Sequence, residues 1–123
     1  MKKREYVRTI QVFENHFIEF RKTLSRDVLK KMYQVFMLIM TLEVIPVKFL
    51  KPIKSVKGLY EIRVEEGGNI FRVFCCFDEG KLIILFNGIQ KKTQKTPQEA
   101  LSKAEALMKK YFEQKHTHGN ESK

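Results

Sequence analysis

The hydrophobic residues of this chain follow a helical period in its first part and a strand period in its second. In the first part they recur at spacings of three and four, which predicts two amphipathic helices. The first apolar stripe consists of Phe13, Phe17, Phe20 and Leu24. The second consists of Leu29, Met32, Phe36 and Ile39. Ser25 lies just ahead of the second stripe and is a favoured N-cap residue. A weaker alternation around Ile10 predicts an edge strand before both helices.

The second part of the chain alternates with a period of two. The run "LYEIRVEEGGNIFRVFCCF" predicts two strands joined by a turn at Gly67-Gly68-Asn69, because these residues tolerate the backbone of tight hairpins. "KLIILF" predicts a further, strongly apolar strand. A final helix is expected, with Thr96 as its N-cap and Pro97 at its first position. The core-facing residues of this helix are expected to be Leu101, Ala104, Met108 and Phe112.

The linker between the two parts, "TLEVIPVKFLKPIKSVKG", contains Pro46 and Pro52, so neither a helix nor a central strand should run through it. The predicted order is therefore β-α-α-β-β-β-α. This order indicates an α+β domain with a mostly antiparallel sheet and helices packed on one face. We assign residues 1–115 to one domain and expect residues 116–123 to form a flexible C-terminal tail.

The composition adds a strong positive charge to this picture. The 123 residues include 24 basic and 14 acidic side chains, which gives a net charge of +10. Such a surplus favours a polyanionic partner: a nucleic acid, an anionic membrane or an acidic protein. The alternative is that the charge serves only solubility. The two cysteines are adjacent, and no spaced Cys/His pattern for a metal is present. We expect a cytoplasmic protein with neither a secretory signal nor a membrane span.

Three lysines precede the predicted final helix, where a helix already presents positive charge. Lys91, Lys92 and Lys95 lie in "NGIQKKTQKTPQEA", directly before Thr96. The free N–H groups and the macrodipole of a helix N-terminus favour anions, so loop and helix together predict an anion site. The alternative is an ordinary solvated surface.

Two arginines lie on the predicted strands. Arg72 is in a strand that is apolar on both faces, where an unpaired charge is costly. It therefore either forms an internal ion pair, with Glu61 or Asp78 as candidate partners, or lies at the floor of a cleft and binds phosphate. Arg63 shares a sheet face with Arg72 only in some registers of the hairpin, and its alternative is a solvated strand face.

The stretches "GLYEIRV", "FRVFCCF" and "NGIQKKTQKTPQEA" resemble the HigB-type toxins of the RelE/ParE superfamily, including their phage-derived members. The resemblance covers roughly residues 5 to 115. It implies a small curved sheet with two N-terminal helices and one C-terminal helix. It also implies a type II toxin that cuts mRNA in the ribosomal A site, contacts rRNA, and is inhibited by a helix-turn-helix, HigA-like antitoxin. It implies no cofactor, no metal and no membrane partner.

The resemblance also implies residue roles. Arg63 and Arg72 match the positions that bind and activate the RNA backbone, and Lys91 matches the residue that stabilises the phosphate. Glu61 is a candidate base and equally a charge partner of Arg72. Further RNA or phosphate contacts are expected at Lys54, Lys57, Lys92 and Lys95. The chain departs from many relatives in lacking a histidine at Asn87 or Gly88 and a tyrosine near Pro97.

Two other functions stay open on the sequence. One is a non-enzymatic gyrase poison of the ParE kind, and the other is a relative that binds RNA or antitoxin without cleaving. Convergence of Arg63, Arg72 and Lys91 in one hollow would favour the nuclease, because gyrase poisoning does not need it.

Overall fold

The computed structural model describes residues 5–91 and 97–121, with side chains described as far as residue 116. The chain forms five strands and three helices in these ranges. The strands are β1 (Thr9–Val12), β2 (Leu50–Pro52), β3 (Leu59–Glu66), β4 (Asn69–Asp78) and β5 (Leu82–Lys91). The helices are α1 (His16–Arg21), α2 (Arg26–Thr41) and α3 (Gln98–Glu121).

The strands form one sheet in the order β1-β5-β4-β3-β2. All neighbouring pairs are antiparallel except β1 and β5, which are parallel. This confirms the α+β class, the mostly antiparallel sheet and the edge position of the first strand. The short strand β2 was not predicted. It ends at Pro52 and lies at the other edge, where a missing backbone N–H is tolerated.

The β3–β4 hairpin follows its sequence signal closely. Glu66 pairs with Asn69, so Gly67 and Gly68 alone form the turn. Both glycines have positive φ angles, +60° and +78°, as a two-residue type I′ turn requires. This turn determines the register in which β3 and β4 pair.

Helices α1 and α2 pack on one face of the sheet. Ser25 caps α2 as expected, because its Oγ accepts a hydrogen bond from the Val28 N–H. Met32, Phe36 and Ile39 of the predicted stripe are buried there. The α1 helix is shorter than its stripe, since Phe13 and Leu24 lie outside it. Phe13 packs instead against Phe86 and Tyr111 on the opposite face.

Helix α3 packs on that opposite face, so the expectation that all helices share one face is wrong. The physical reason is that the central strands are apolar on both sides and both sides need cover. Cys75 and Leu85 belong to the core under α1 and α2, whereas Cys76 and Phe86 belong to the core under α3. The α3 residues most deeply buried are Ala100, Ala104 and Leu107. Phe112, predicted as core, is 39% exposed.

Helix α3 continues to Glu121. Residues 116–121, which we assigned to a tail, therefore continue the helix. No helix in the described ranges combines the length and the apolar character needed to cross a membrane.

Candidate functional site

The hairpin register places two arginines side by side. Arg63 of β3 is the direct cross-strand partner of Arg72 of β4. Both side chains lie on the face that α3 covers in part, because they share the parity of Leu59 and Phe74. Directly opposite residues have Cβ atoms about 4.5–5.5 Å apart, and like charges there are destabilising. Two arginines in this position need either counter-charges or a ligand.

A bulge in β5 brings Lys91 to the same face. Val73 pairs with Gly88 and Cys75 with Leu85, so β5 has one residue more than β4 between these pairs. The extra residue reverses the alternation of β5 beyond that point. Lys91 therefore pairs with Ile70, which has the same parity as Arg72.

Lys51 of β2 completes the group, and the sequence analysis did not assign it a role. It pairs directly with Glu61, two residues before Arg63, and so lies on the same face. We call Lys51, Arg63, Arg72 and Lys91 the basic cluster. Its members come from four adjacent strands. The signal for Lys51 was present in the lysine-rich linker, but choosing it required knowing that residues 50–52 form a strand.

Arg72 forms the internal ion pair that was one of its two interpretations. Its Nη1 donates to Glu61 Oε2, and each of the two residues is only 4% exposed. Burial lowers the pKa of the Arg72 guanidinium, which nonetheless remains charged at any ordinary pH. The other candidate partner, Asp78, binds Tyr111 and Lys115 instead. Arg72 is therefore held beneath the surface and is not the open floor of a cleft.

Arg63 is paired more loosely. Its Nη2 donates to Glu65 Oε1, and its side chain is 32% exposed. The Nε atoms of Arg63 and Arg72 are both buried and have no hydrogen-bond partner among the described residues. Two buried donors without a partner on paired residues indicate a site that the described residues alone do not satisfy.

Lys91 experiences the charge of the whole cluster. Burial lowers the pKa of its ammonium, and the charges of Arg72, Lys51 and Arg63 lower this pKa further. Lys91 is half-buried, as is Lys51, and the described ion pairs include neither lysine. The cluster thus has four cations against two nearby carboxylates, Glu61 and Glu65, and keeps a surplus of positive charge.

The family model described as "Phage derived protein Gp49-like (DUF891)" matches residues 19–109, which include every member of the basic cluster. The chain belongs to this Gp49-like family. No curated protein matches the chain. This match agrees with the resemblance noted in the sequence, because both point to a family of phage-derived proteins.

Not every residue predicted to contact RNA lies in the basic cluster of this Gp49-like protein. Lys54 and Lys57 are exposed in the loop between β2 and β3, which lies beside Leu59. Arg63 is four residues further along β3, about 13 Å at the usual rise of a strand. Lys92, Lys95 and Thr96 lie outside the described residues, so the three-lysine anion site stays a prediction apart from Lys91.

The structure gives a reason why this Gp49-like protein has no histidine at position 87 or 88. A Cβ built on Gly88 would lie 2.3 Å from Cδ2 of Phe20, because the aromatic ring packs directly on the glycine. Asn87 is buried, and its Nδ2 donates to the Ala100 carbonyl at the start of α3. Neither position offers a side chain to the cluster. Within the described ranges, no group of three His, Cys, Asp or Glu side chains is placed to bind a metal.

Proposed function

We propose that this Gp49-like protein is the toxin of a type II toxin–antitoxin pair. It acts in the cytoplasm as an endoribonuclease that cuts mRNA in the ribosomal A site and so inhibits translation. The observation that carries this proposal is the basic cluster, in which four strands contribute cations to one face of the sheet. The same face has few carboxylates to neutralise these cations. A phosphodiester supplies the anion that such a cluster lacks.

The chemistry requires no group beyond the protein, the RNA and solvent water. The 2′-hydroxyl gives its proton to solvent water, and its oxygen forms a bond to the adjacent phosphorus while the bond from phosphorus to the 5′-oxygen breaks. Cations offset the charge that develops on the phosphorane. Arg63, Lys51 and Lys91 are the half-exposed members that contact phosphate, and Arg72 adds its charge from beneath. Lys91 is the proton donor to the leaving 5′-oxygen, because a lowered pKa makes its ammonium a stronger acid.

This function involves three partners. The mRNA is the substrate, rRNA positions it, and a helix-turn-helix, HigA-like antitoxin inhibits the protein. Ribosomal positioning supplies much of the rate, because holding the 2′-oxygen in line with the phosphate is itself a large catalytic term. Lys92 and Lys95, next to Lys91 in sequence, are proposed as further contacts with the RNA backbone.

The test is induced expression of the wild type and of Lys91→Ala, followed by mapping of mRNA 5′ ends. The wild type should create new 5′ ends within translated messages, and Lys91→Ala should reduce them about 10²-fold, as is typical when one charge-stabilising donor is removed. Lys109→Ala is the matched control, since Lys109 is an exposed lysine of α3. The control should cleave like the wild type.

The same cultures separate the rival functions. Growth arrest with DNA breaks and intact mRNA would mean a gyrase poison and would reject the proposal. Ribosome or RNA binding by the wild type without new 5′ ends would mean a relative that does not cleave. Equal loss of cleavage in Lys91→Ala and Lys109→Ala would show that total charge, rather than the basic cluster, carries the activity.

A further inference from the structure

Glu61 is a buried carboxylate among cations. It is 4% exposed and accepts a hydrogen bond from Arg72. Lys51 lies directly opposite in β2, and Arg63 is the next residue on the same face of β3. Lys91 of β5 lies on this face beyond Arg72. The α3 residues packed on this face and deeply buried are apolar, namely Ala100, Ala104 and Leu107. Every charged side chain that neighbours Glu61 in the described sheet is therefore a cation.

This environment does not suit a general base. A base must come within hydrogen-bond reach of the proton that it removes. Glu61 is covered almost completely, and one of its oxygens is already bound to Arg72. Its environment does suit a counter-ion. Without it, Arg72 would be an unpaired buried charge directly opposite Arg63, and both effects destabilise a sheet.

We infer that Glu61 is a built-in anion and a positioning residue. It takes the place of a phosphate oxygen at Arg72 and holds that guanidinium under the cluster. It also cancels one positive charge, so an incoming phosphate meets the half-exposed cations Lys51, Arg63 and Lys91. This role takes the place of the catalytic base, for which Glu61 was one candidate on the sequence. The inference rests on the proposed function and deepens it by assigning the buried carboxylate of the same site.

The experiment measures binding, not cleavage, on the full chain. The probe is a fluorescein-labelled single-stranded oligonucleotide in which every 2′-hydroxyl is methylated, so it cannot be cut. Fluorescence anisotropy gives the affinity between 50 and 200 mM salt. The affinity for a single strand falls with salt with a slope of about −0.7 per neutralised phosphate. Glu61→Gln frees one cation, so its slope should be steeper by about 0.7, which is about 2.6-fold more affinity lost over this range.

Two further variants keep the result interpretable. Glu65→Gln is the matched control: its carboxylate pairs with Arg63 but is 63% exposed, so the slope should change less than in Glu61→Gln. The double variant Glu61→Gln/Arg72→Gln removes both charges of the pair and should restore the wild-type slope and melting temperature. If Glu61→Gln does not fold, the double variant decides alone, because it should fold with the wild-type slope. An unfolded double variant would overturn the inference.

Other outcomes are equally decisive. An unchanged or shallower slope in Glu61→Gln, or no binding of the probe by the wild type, overturns the inference whatever the cleavage result. If the slopes behave as expected but translated mRNA stays intact, the proposed function fails and the counter-ion role stands. If mRNA is cut, Glu61→Gln should lower the rate and keep the shape of its pH profile. Loss of the limb that rises with pH would make Glu61 the base and overturn the inference.

Discussion

Strand β4 has a buried charged residue near each of its ends, and the two residues differ in how completely their polar atoms are hydrogen-bonded. Asp78, at the C-terminal end, is 5% exposed and has both oxygens bound: Tyr111 Oη donates to Oδ2 at 2.6 Å, and Lys115 Nζ donates to Oδ1 at 2.7 Å. Arg72, towards the N-terminal end, has one partner in Glu61 and a buried Nε that the described residues leave without one. Lys115 and Tyr111 both belong to α3, so the Asp78 end fastens that helix to the sheet.

The difference separates a structural polar site from the site that we propose binds an anion. At the Asp78 end, donors and acceptors match and one helix covers them. At the Arg72 end, the cations outnumber the carboxylates, and like charges lie directly opposite each other in the sheet. Natural sheets avoid such pairs unless something compensates them. These unfavourable contacts cost the fold free energy, which the proposed anionic ligand would offset.

The largest effect is expected from breaking the buried pair at Arg72. Arg72→Met leaves Glu61 buried without its partner and should lower the free energy of unfolding by about 3–5 kcal/mol, measured by urea denaturation. Arg63→Met is the matched control, because Arg63 lies in the same row but pairs with an exposed carboxylate. It should cost only about 0–1 kcal/mol. Equal losses in the two variants would contradict the distinction between a buried and a peripheral arginine.

An intermediate effect is expected at the Asp78 end. Burial raises the pKa of Asp78, but the hydrogen bonds from Lys115 and Tyr111 outweigh this and lower the pKa below its usual value. The carboxylate therefore contributes stability above about pH 4, its unfolded pKa, and this contribution is lost as the pH falls through the lower folded pKa.

Asp78→Asn should accordingly cost about 1.5–3 kcal/mol at pH 7, the range for hydrogen bonds to a charged group. Thermal denaturation at pH 7 and pH 3 should show the gap between wild type and variant narrowing in acid. Glu79→Gln tests the neighbouring carboxylate, which is exposed and also contacts Lys115, and should change little. A gap that widens in acid would mean that the Asp78 carboxylate does not stabilise the fold as described.

The smallest effect has the opposite sign and concerns Lys91. Its folded pKa is lowered, first by burial and then by Arg72, Lys51 and Arg63, so its charge costs stability at neutral pH. That cost disappears as the pH rises through the folded pKa towards the unfolded value of about 10.4. Lys91→Gln should therefore gain up to about 1 kcal/mol at pH 7, and the gain should shrink at alkaline pH.

Urea denaturation at pH 7 and at alkaline pH checks this, with Lys109→Gln as the exposed control. A stability gain combined with weaker RNA binding would mark Lys91 as a residue kept for function. A loss of stability in Lys91→Gln would show instead that the lysine is a structural partner, and the basic cluster would lose one of its four members.

Most elements of this fold were predictable because each depends on local sequence, whereas the short edge strand β2 was not predicted. The apolar spacing predicted α2, and Ser25 caps it because its side-chain oxygen reaches an N–H three residues away. Gly67 and Gly68 predicted the hairpin because only a backbone free to adopt positive φ makes that turn. Arg72 was singled out for a similar reason: a charge within an apolar strand calls for an explanation.

Which of these residues meet was decided by the tertiary structure. The hairpin register made Arg63 and Arg72 neighbours, and a one-residue bulge turned Lys91 towards them. Pairing of an unpredicted edge strand added Lys51. Side-chain facing in a sheet changes with every single-residue shift, so a local pattern cannot determine it across four strands. The sequence by itself determined which charges the strands contain, and the pairing of the strands determined that those charges share one face.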